Sequence, residues 1–250
     1  MDQIHTAIVL RRRSLSEGDF LLVFLTKEMG RLNAVVRRRS NAGPMDARFE
    51  PFTMGELLLS PRYGENLQRV YAFDMIRAHD MLRKDLELFA QASYIAELLD
   101  LSLMESNDTQ AEFFLLLKAF SLLDVGSPAE LVSRWFEMRL LGMAGLRMDL
   151  SRCAVCQNLP CGKTTLSLDR GGLLCERCMD RTAPSLGLAS LRILRRIHDS
   201  DTPKLQGIHL SMEIRNELRH VLQQVIVGWL GLRPKSIYFM ETISGQGEPL

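Results

Sequence analysis

The 250-residue chain has no apolar run of about 18 residues or more, so no membrane-spanning helix is expected. It has almost no net charge, +1 at pH 7, so its average field points to no partner of either sign. Aromatic residues are 7% of the total, and the five histidines (His5, His79, His198, His209, His220) are scattered. None of them stands at motif spacing from a cysteine or an acid, and each reads as a solvated or satisfied side chain. There is no nucleophile elbow and no H-E-x-x-H, so no catalytic constellation is visible and an enzyme is not expected. Five cysteines is an odd number, which argues against a disulfide scaffold and for a reduced intracellular protein. The opening "MDQIHTAIVLRRR" carries its positive charge after the apolar stretch, the wrong order for a secretory leader. A cytoplasmic location follows as the expectation.

What is present is an ordinary globular composition, 46% hydrophobic and 24% charged, which excludes wholesale disorder. Residues 1–80 read as β. "HTAIVL", "FLLVFLT", "RLNAVV", "GELLLS" and "NLQRVYAF" are short apolar segments separated by turn signals. Five strands in that length suggest a small barrel, either five-stranded of the OB type or SH3-like. Residues 81–150 read as helices. The first, "MLRKDLELFAQASYIAELLDLSLM", places Leu82, Leu86, Phe89, Ser93 and Ala96 on one face, with Tyr94, Leu98 and Leu101 widening it. A buried helix then ends at Gly126, and another starts at Ser127-Pro128 with serine as N-cap. Helices resume with "LASLRILRRIHDS" and with the stretch from Ser211 to Gly231. The fold class is therefore α+β: a small N-terminal barrel of one type or the other, residues 1–80, then an α-helical domain, residues 81–250, with a cysteine module at 151–182.

That module is the most specific motif. Cys153-x2-Cys156 and Cys175-x2-Cys178 are separated by a hairpin pattern around Asp169-Arg170-Gly171-Gly172. Each knuckle aims two thiolates at one point, and two knuckles close a tetrahedral, structural zinc site. One Zn2+ per chain is expected on Cys153, Cys156, Cys175 and Cys178, with Cys161 spare. "CGKTT" at 161–165 resembles the end of a phosphate loop, but Gln157 stands where the motif needs glycine.

The near-zero net charge is unevenly spread. Residues 81–150 carry six basic and eleven acidic residues, whereas the window from Arg11 to Arg48 carries nine basic and four acidic. Arg11, Arg12 and Arg13 close the first apolar run; Lys27 and Arg31 flank a turn; Arg37, Arg38 and Arg39 close the third run; Arg48 ends a loop. In a small barrel such residues can share one rim. Arginine forks suit phosphate oxygens, and Phe49, Phe52, Tyr63 and Tyr71 are candidate stacking platforms for single-stranded nucleic acid. These nine cations are the candidate nucleic-acid contacts. The bland reading is a solvated surface.

A barrel of this size followed by helices and a C-x2-C…C-x2-C module resembles the bacterial recombination mediator family RecO. The resemblance runs through "AIVLRRRSLSEGDFLLVFLTKEMGRLNAVVR", "PFTMGELLLS", "ASYIAELLD", "SRWFEMRLLGMAGLRMDLSRCAVC" and "GGLLCERC". It implies an OB-fold that binds single- and double-stranded DNA and anneals complementary strands. It also implies action with RecR, and in some pathways RecF, to load recombinase onto DNA coated with single-strand-binding protein. The helical domain would take that protein's acidic C-terminal tail, with Arg192, Arg195 or Arg196 meeting its acids. Those three arginines fit a solvated helix face or a second DNA contact equally well. The other reading of the chain is a protein-interaction scaffold with a structural zinc module and no DNA binding of its own.

Overall fold

The computed structural model describes residues 4–15, 19–36, 47–60, 68–103, 109–198, 200–201 and 203–243. The chain divides into two compact units, Met1–Asp124 with Phe239–Leu250, and Val125–Tyr238.

The first unit opens with five strands: β1 (Ile4–Ser14), β2 (Phe20–Thr26), β3 (Gly30–Val36), β4 (Met54–Ser60) and β5 (Gln68–Arg77). They close a barrel in the order β1-β2-β3-β5-β4. Every pairing is antiparallel except β3 with β5. This is the OB arrangement, and it decides between the two barrels the apolar pattern allowed.

Ala7, Val9, Leu22, Phe24, Ala34, Leu57, Val70 and Phe73 fill the interior. Phe73 meets Phe24 and Phe49 at ring separations of 5.6 and 5.8 Å. Gly55 is required where β4 crosses β5, because a Cβ there would lie 2.5 Å from the Asp74 carbonyl. β1 and β2 read as unbroken apolar runs because both of their faces are covered. Ile8, Leu10, Val23 and Leu25 alternate with the interior set and are also buried. Helix α2 (Leu86–Ser102) packs against β1.

Three helices follow the strands in this unit: α1 (Met81–Lys84), α2, and α3 (Gln110–Asp124). One helix was expected across residues 81–104. Asp85 divides it by taking extended backbone and accepting the Leu88 N–H at 2.9 Å as the N-cap of α2. Tyr94, Ala96 and Leu98 of α2 are buried as expected, but its buried side is wider than the expected face. Ala92, Ile95 and Leu99 are buried, whereas Leu86 is 58% exposed. A helix apolar nearly all round has too weak a periodicity to show which side will be covered.

The second unit contains α4 (Ala129–Met143), the hairpin β6 (Thr164–Ser167) and β7 (Gly172–Cys175), α5 (Leu188–His198), and α6 (Met212–Leu230). Ser127 does not cap α4 as expected: Pro128 is its N-cap and no side chain donates or accepts there. Gly126 and Gly231, at φ +75° and +68°, end α3 and α6 as their positions suggested. Ser211 caps α6 through the Ile214 N–H. A further helix, α7 (Lys235–Ile243), follows Pro234. Arg134 and Glu137 form a buried ion pair at 2.7 Å within α4.

Candidate metal centre and nucleic-acid interface

The cysteine module is built by a short hairpin. Gly171, at φ +64°, makes the turn between β6 and β7. Gly172 then lets the strand approach the segment before the first knuckle, since a Cβ would sit 2.6 Å from the Asp149 carbonyl. The Leu173 N–H donates to the Asp149 carbonyl at 3.0 Å, and the Ala154 N–H donates to the Leu173 carbonyl at 2.7 Å. These hydrogen bonds bring the two knuckles together.

The sulfur atoms of Cys153, Cys156, Cys175 and Cys178 all lie within 4.8 Å of one another. A tetrahedron with metal–sulfur bonds of about 2.3 Å has edges of about 3.8 Å, and the Cys156 and Cys175 sulfurs are 3.7 Å apart. The Cys175 N–H donates to the Cys153 sulfur at 3.4 Å. Burial pushes the Cys153 thiol up, but the backbone N–H groups of Cys156, Cys175 and Val155 outweigh it and bring the value down to about 6. Cys178 is pushed up to about 12 by desolvation, by hydrogen bonding with the other three sulfurs and by the Cys153 charge. Crowded thiolates of this kind are what a dication stabilises. The donor set fits a metal, and four sulfurs leave no open ligand position. Cys161 is exposed and stands outside the cluster. The "CGKTT" stretch is no phosphate loop here: Thr164 and Thr165 lie in β6, and their hydroxyls donate to the carbonyls of Leu186 and Pro184.

The described barrel cations differ in how their charge is partnered. β1 closes with its arginines and Ser14, after a bulge between Val9 and Arg11. Alternation then sends Arg12 to the side opposite Arg11 and Arg13. Arg12 pairs with Glu50 at 2.9 Å and lies 5.0 Å over the Phe20 ring. Arg11 and Arg31 converge on one carboxylate, Asp100 of α2; Arg11 reaches it at 3.3 Å. Lys27 sits 5.4 Å over the Phe114 ring. Arg48 covers Phe49 at 5.8 Å. Arg13 is exposed. Arg37, Arg38 and Arg39 lie outside the described residues, as does Tyr63.

Two expected stacking platforms are corrected. Phe49 is 8% exposed and plugs the barrel. Phe52 is 1% exposed and is packed by Phe89 and Phe120. Tyr71, on β5, is 75% exposed and available.

Sequence reasoning missed the pairing of His79 with Asp124, which are 45 residues apart. The imidazole Nδ1 is 2.6 Å from the Asp124 carboxylate, and Arg77 binds the same carboxylate at 3.3 Å. Burial holds His79 below its ordinary value, against the raising influence of Asp124.

A closed barrel of OB order, joined to a helical unit carrying a four-cysteine cluster that could hold a zinc, defines the class of protein. Two family models match the chain. "Recombination protein O N terminal" covers residues 1–79, and "Recombination protein O C terminal" covers residues 83–236. The chain is 31% identical over 238 residues to the DNA repair protein RecO of Pelotomaculum thermopropionicum, spanning 94% of this chain and 92% of that one. The DNA repair protein RecO of Symbiobacterium thermophilum is also 31% identical, over 94% and 95% of the two chains. That of Bacillus subtilis is 27% identical, over 94% and 92%. The chain belongs to the RecO family of DNA repair and recombination proteins. Among the described residues no helix is long and apolar enough to cross a membrane.

Proposed function

We propose that this chain is a non-enzymatic recombination mediator. It binds single- and double-stranded DNA, anneals complementary strands, and helps load recombinase onto single-stranded DNA coated with single-strand-binding protein. The observation that carries the reading is that both RecO family models match, together covering almost the whole chain. Its partners are DNA, RecR, the C-terminal tail of single-strand-binding protein and, in some pathways, RecF. It works in the bacterial cytoplasm, at the nucleoid. Residues 1–80 serve as the DNA-binding domain and residues 81–250 as the helical domain.

No bond chemistry is needed. Annealing is opposed by phosphate repulsion between strands, and cations that replace condensed counterions lower it. Arg11, Arg12, Arg13, Lys27, Arg31, Arg37, Arg38, Arg39 and Arg48 are the proposed phosphate contacts. Arg11 and Arg31 must exchange Asp100 for phosphate, so the carboxylate sets how much of their charge DNA receives. Tyr71 offers a base-stacking surface that ignores sequence. Cys153, Cys156, Cys175 and Cys178 hold one structural Zn2+, which supplies cross-linking and no reactivity. Holding the tail of single-strand-binding protein would concentrate the chain on its substrate.

One observation favours the scaffold reading: Asp100 and Glu50 already pair with three of the barrel arginines and offset two of their three charges. Annealing of complementary oligonucleotides without ATP, across a salt series, separates the two. The mediator anneals, and Arg37→Ala/Arg38→Ala/Arg39→Ala weakens it with a shallower salt slope. A wild-type protein that neither binds nor anneals DNA at physiological salt is the scaffold.

A further inference from the structure

In α5, Leu191, Leu194 and Ile197 are buried. The face that remains carries Arg192, Arg195 and His198 at i, i+3 and i+6, in line along the helix. The segment 147–151, which leads into the first knuckle, lies beside that line. Arg195 holds it there: its Nε donates to the Leu150 carbonyl at 2.8 Å and a terminal nitrogen to the Ser151 carbonyl at 3.1 Å. Between the two elements is an open cavity of about 620 Å³, lined by Arg147, Asp149, Ser151, Arg195 and His198. All of it belongs to the Val125–Tyr238 unit.

The cavity is cationic by construction. Carbonyl oxygens orient Arg195 without cancelling its charge. Arg147 is exposed, and neither it nor Arg195 has a described carboxylate oxygen within 4.0 Å. The one acid in the lining, Asp149, accepts the Ser151 N–H at 2.7 Å. Hydrogen bonds from the Ser151 hydroxyl and N–H hold its carboxyl below the ordinary range, with Arg195 and Arg152 adding to the effect. Asp149 therefore offsets one charge among Arg147, Arg152 and Arg195. The negative end of the α5 dipole accounts for Arg195 and Arg196. It does not account for Arg147 and Arg152, which arrive from a different segment.

We propose that this cavity is a phosphate-binding site for single-stranded nucleic acid, a second contact on the helical unit and additional to the barrel. The inference rests on the DNA-binding reading above. An acidic peptide would also be drawn to the charge, but it needs apolar surface for its own side chains. The aliphatic side chains in the lining, Met148 and Leu150, are only 2% and 5% exposed. Phosphates need donors and cations, which is what faces solvent.

The test uses full-length, metal-loaded protein and a fluorescently labelled oligothymidylate, with anisotropy read across a salt series. Arg147→Glu and Arg147→Glu/Arg192→Glu are the variants. Arg195 is left intact because it supports the loop backbone. Removing one phosphate-binding cation should make the slope of log K against log salt shallower by about 0.7, and Arg147→Glu should weaken low-salt binding about tenfold. Arg147→Lys should retain most of the affinity. Zinc content and far-ultraviolet circular dichroism of the variants should match wild type. Wild-type affinity and slope in both charge-reversal variants would overturn the proposal. So would loss of binding to a synthetic acidic peptide with oligothymidylate binding unchanged, which would make the cavity a peptide site. A wild-type protein that binds no oligothymidylate overturns the DNA-binding reading itself, and this inference with it.

Discussion

Residues 11–48 and residues 147–196 each hold nine basic and four acidic side chains, yet the fold treats their charge differently. In the first window, Arg11 and Arg31 share Asp100, and Arg12 is paired with Glu50. In the second, the guanidinium groups of Arg152, Arg192 and Arg195 donate to the carbonyls of Gln157, Leu188, Leu150 and Ser151. Both arrangements satisfy donors and fix side-chain direction. The first offsets charge by direct ion pairs, whereas in the second these guanidinium groups donate to carbonyls and Asp149 offsets one charge from a distance. A carboxylate partner leaves a neutral pair, whereas a carbonyl partner leaves a full positive charge aimed by the backbone. Among the described arginines, a count of basic residues therefore hides how differently their charge is partnered.

The supports differ as well. The first window is held by a closed barrel with its own core, the second by a hairpin too small to bury one. Metal removal is thus the sharpest way to separate them. Chelation, or Cys175→Ser, should abolish one bound metal per chain and strip amide-exchange protection from residues 149–186. Barrel amides in β1 and β2 should stay protected. Zinc contributes about 10–16 kcal/mol in small zinc-dependent domains, so the local effect should be near complete. Protection of the hairpin that survives chelation would show that its hydrogen bonds suffice without metal. Tyr71→Ala is the complementary test on the barrel side. Losing a stacking platform costs about 1–3 kcal/mol per base, roughly tenfold in affinity for single strands. The salt slope should not move, because no charge is removed. A changed slope, or no loss of affinity, would take Tyr71 out of the interface.

The division between what could and could not be seen in the sequence follows the range of the interactions. The strands were legible because turns such as Thr26–Gly30 are local; the Thr26 hydroxyl itself closes this one, donating to Gly30 O and accepting from Met29 N–H. The four-cysteine cluster was legible because its ligand spacing is local within each knuckle. Asp100 was not, since it lies 69 residues from Arg31 and nothing near either marks the pairing. Phe49 and Phe52 misled for a related reason. An aromatic in a loop looks like a platform until distant elements cover it: Phe49 plugs the barrel interior, and Phe52 packs on Phe89 of α2 and Phe120 of α3. The cavity beside α5 was equally hidden, because Arg147 and Arg195 meet only after the hairpin has folded back.

Neutralisation in the first window can be undone. Asp100→Asn removes the carboxylate that Arg11 and Arg31 share while keeping its shape. Asp100 is 11% exposed at its side chain, and the two arginines are 45% and 40% exposed, so the pairs are partly screened. The stability lost should be about 1 kcal/mol or less. DNA affinity should rise, and the salt slope should steepen by about 0.7 for each single-strand phosphate newly bound. If affinity instead falls, Asp100 positions the arginines for DNA rather than competing with it.

The smallest effect expected is one of acid on the frame of the first window. His79 sits just after β5, in left-handed backbone at φ +51°, with its ring buried against Phe120 and its Nδ1 on Asp124. Arg77 and Arg83 add their positive fields, and burial remains the dominant influence, so the folded protein holds the imidazole neutral below its ordinary pH range. The unfolded chain takes up that proton near pH 6.5 and the folded one does so only at lower pH. Stability contributed by the neutral ring is therefore fully present above the unfolded value. It is lost as pH falls from there to the folded value, with a slope of at most about 1.4 kcal/mol per pH unit. Exchange of amides in β5 and α3 should accelerate between about pH 7 and pH 5.5, after correction for intrinsic chemistry, and His79→Gln should flatten that response. A response that persists in His79→Gln would assign the acid sensitivity to another group. Since Asp124 also anchors Arg77, the same measurement on Asp124→Asn would show whether the carboxylate or the burial of the ring governs the joint between β5 and α1.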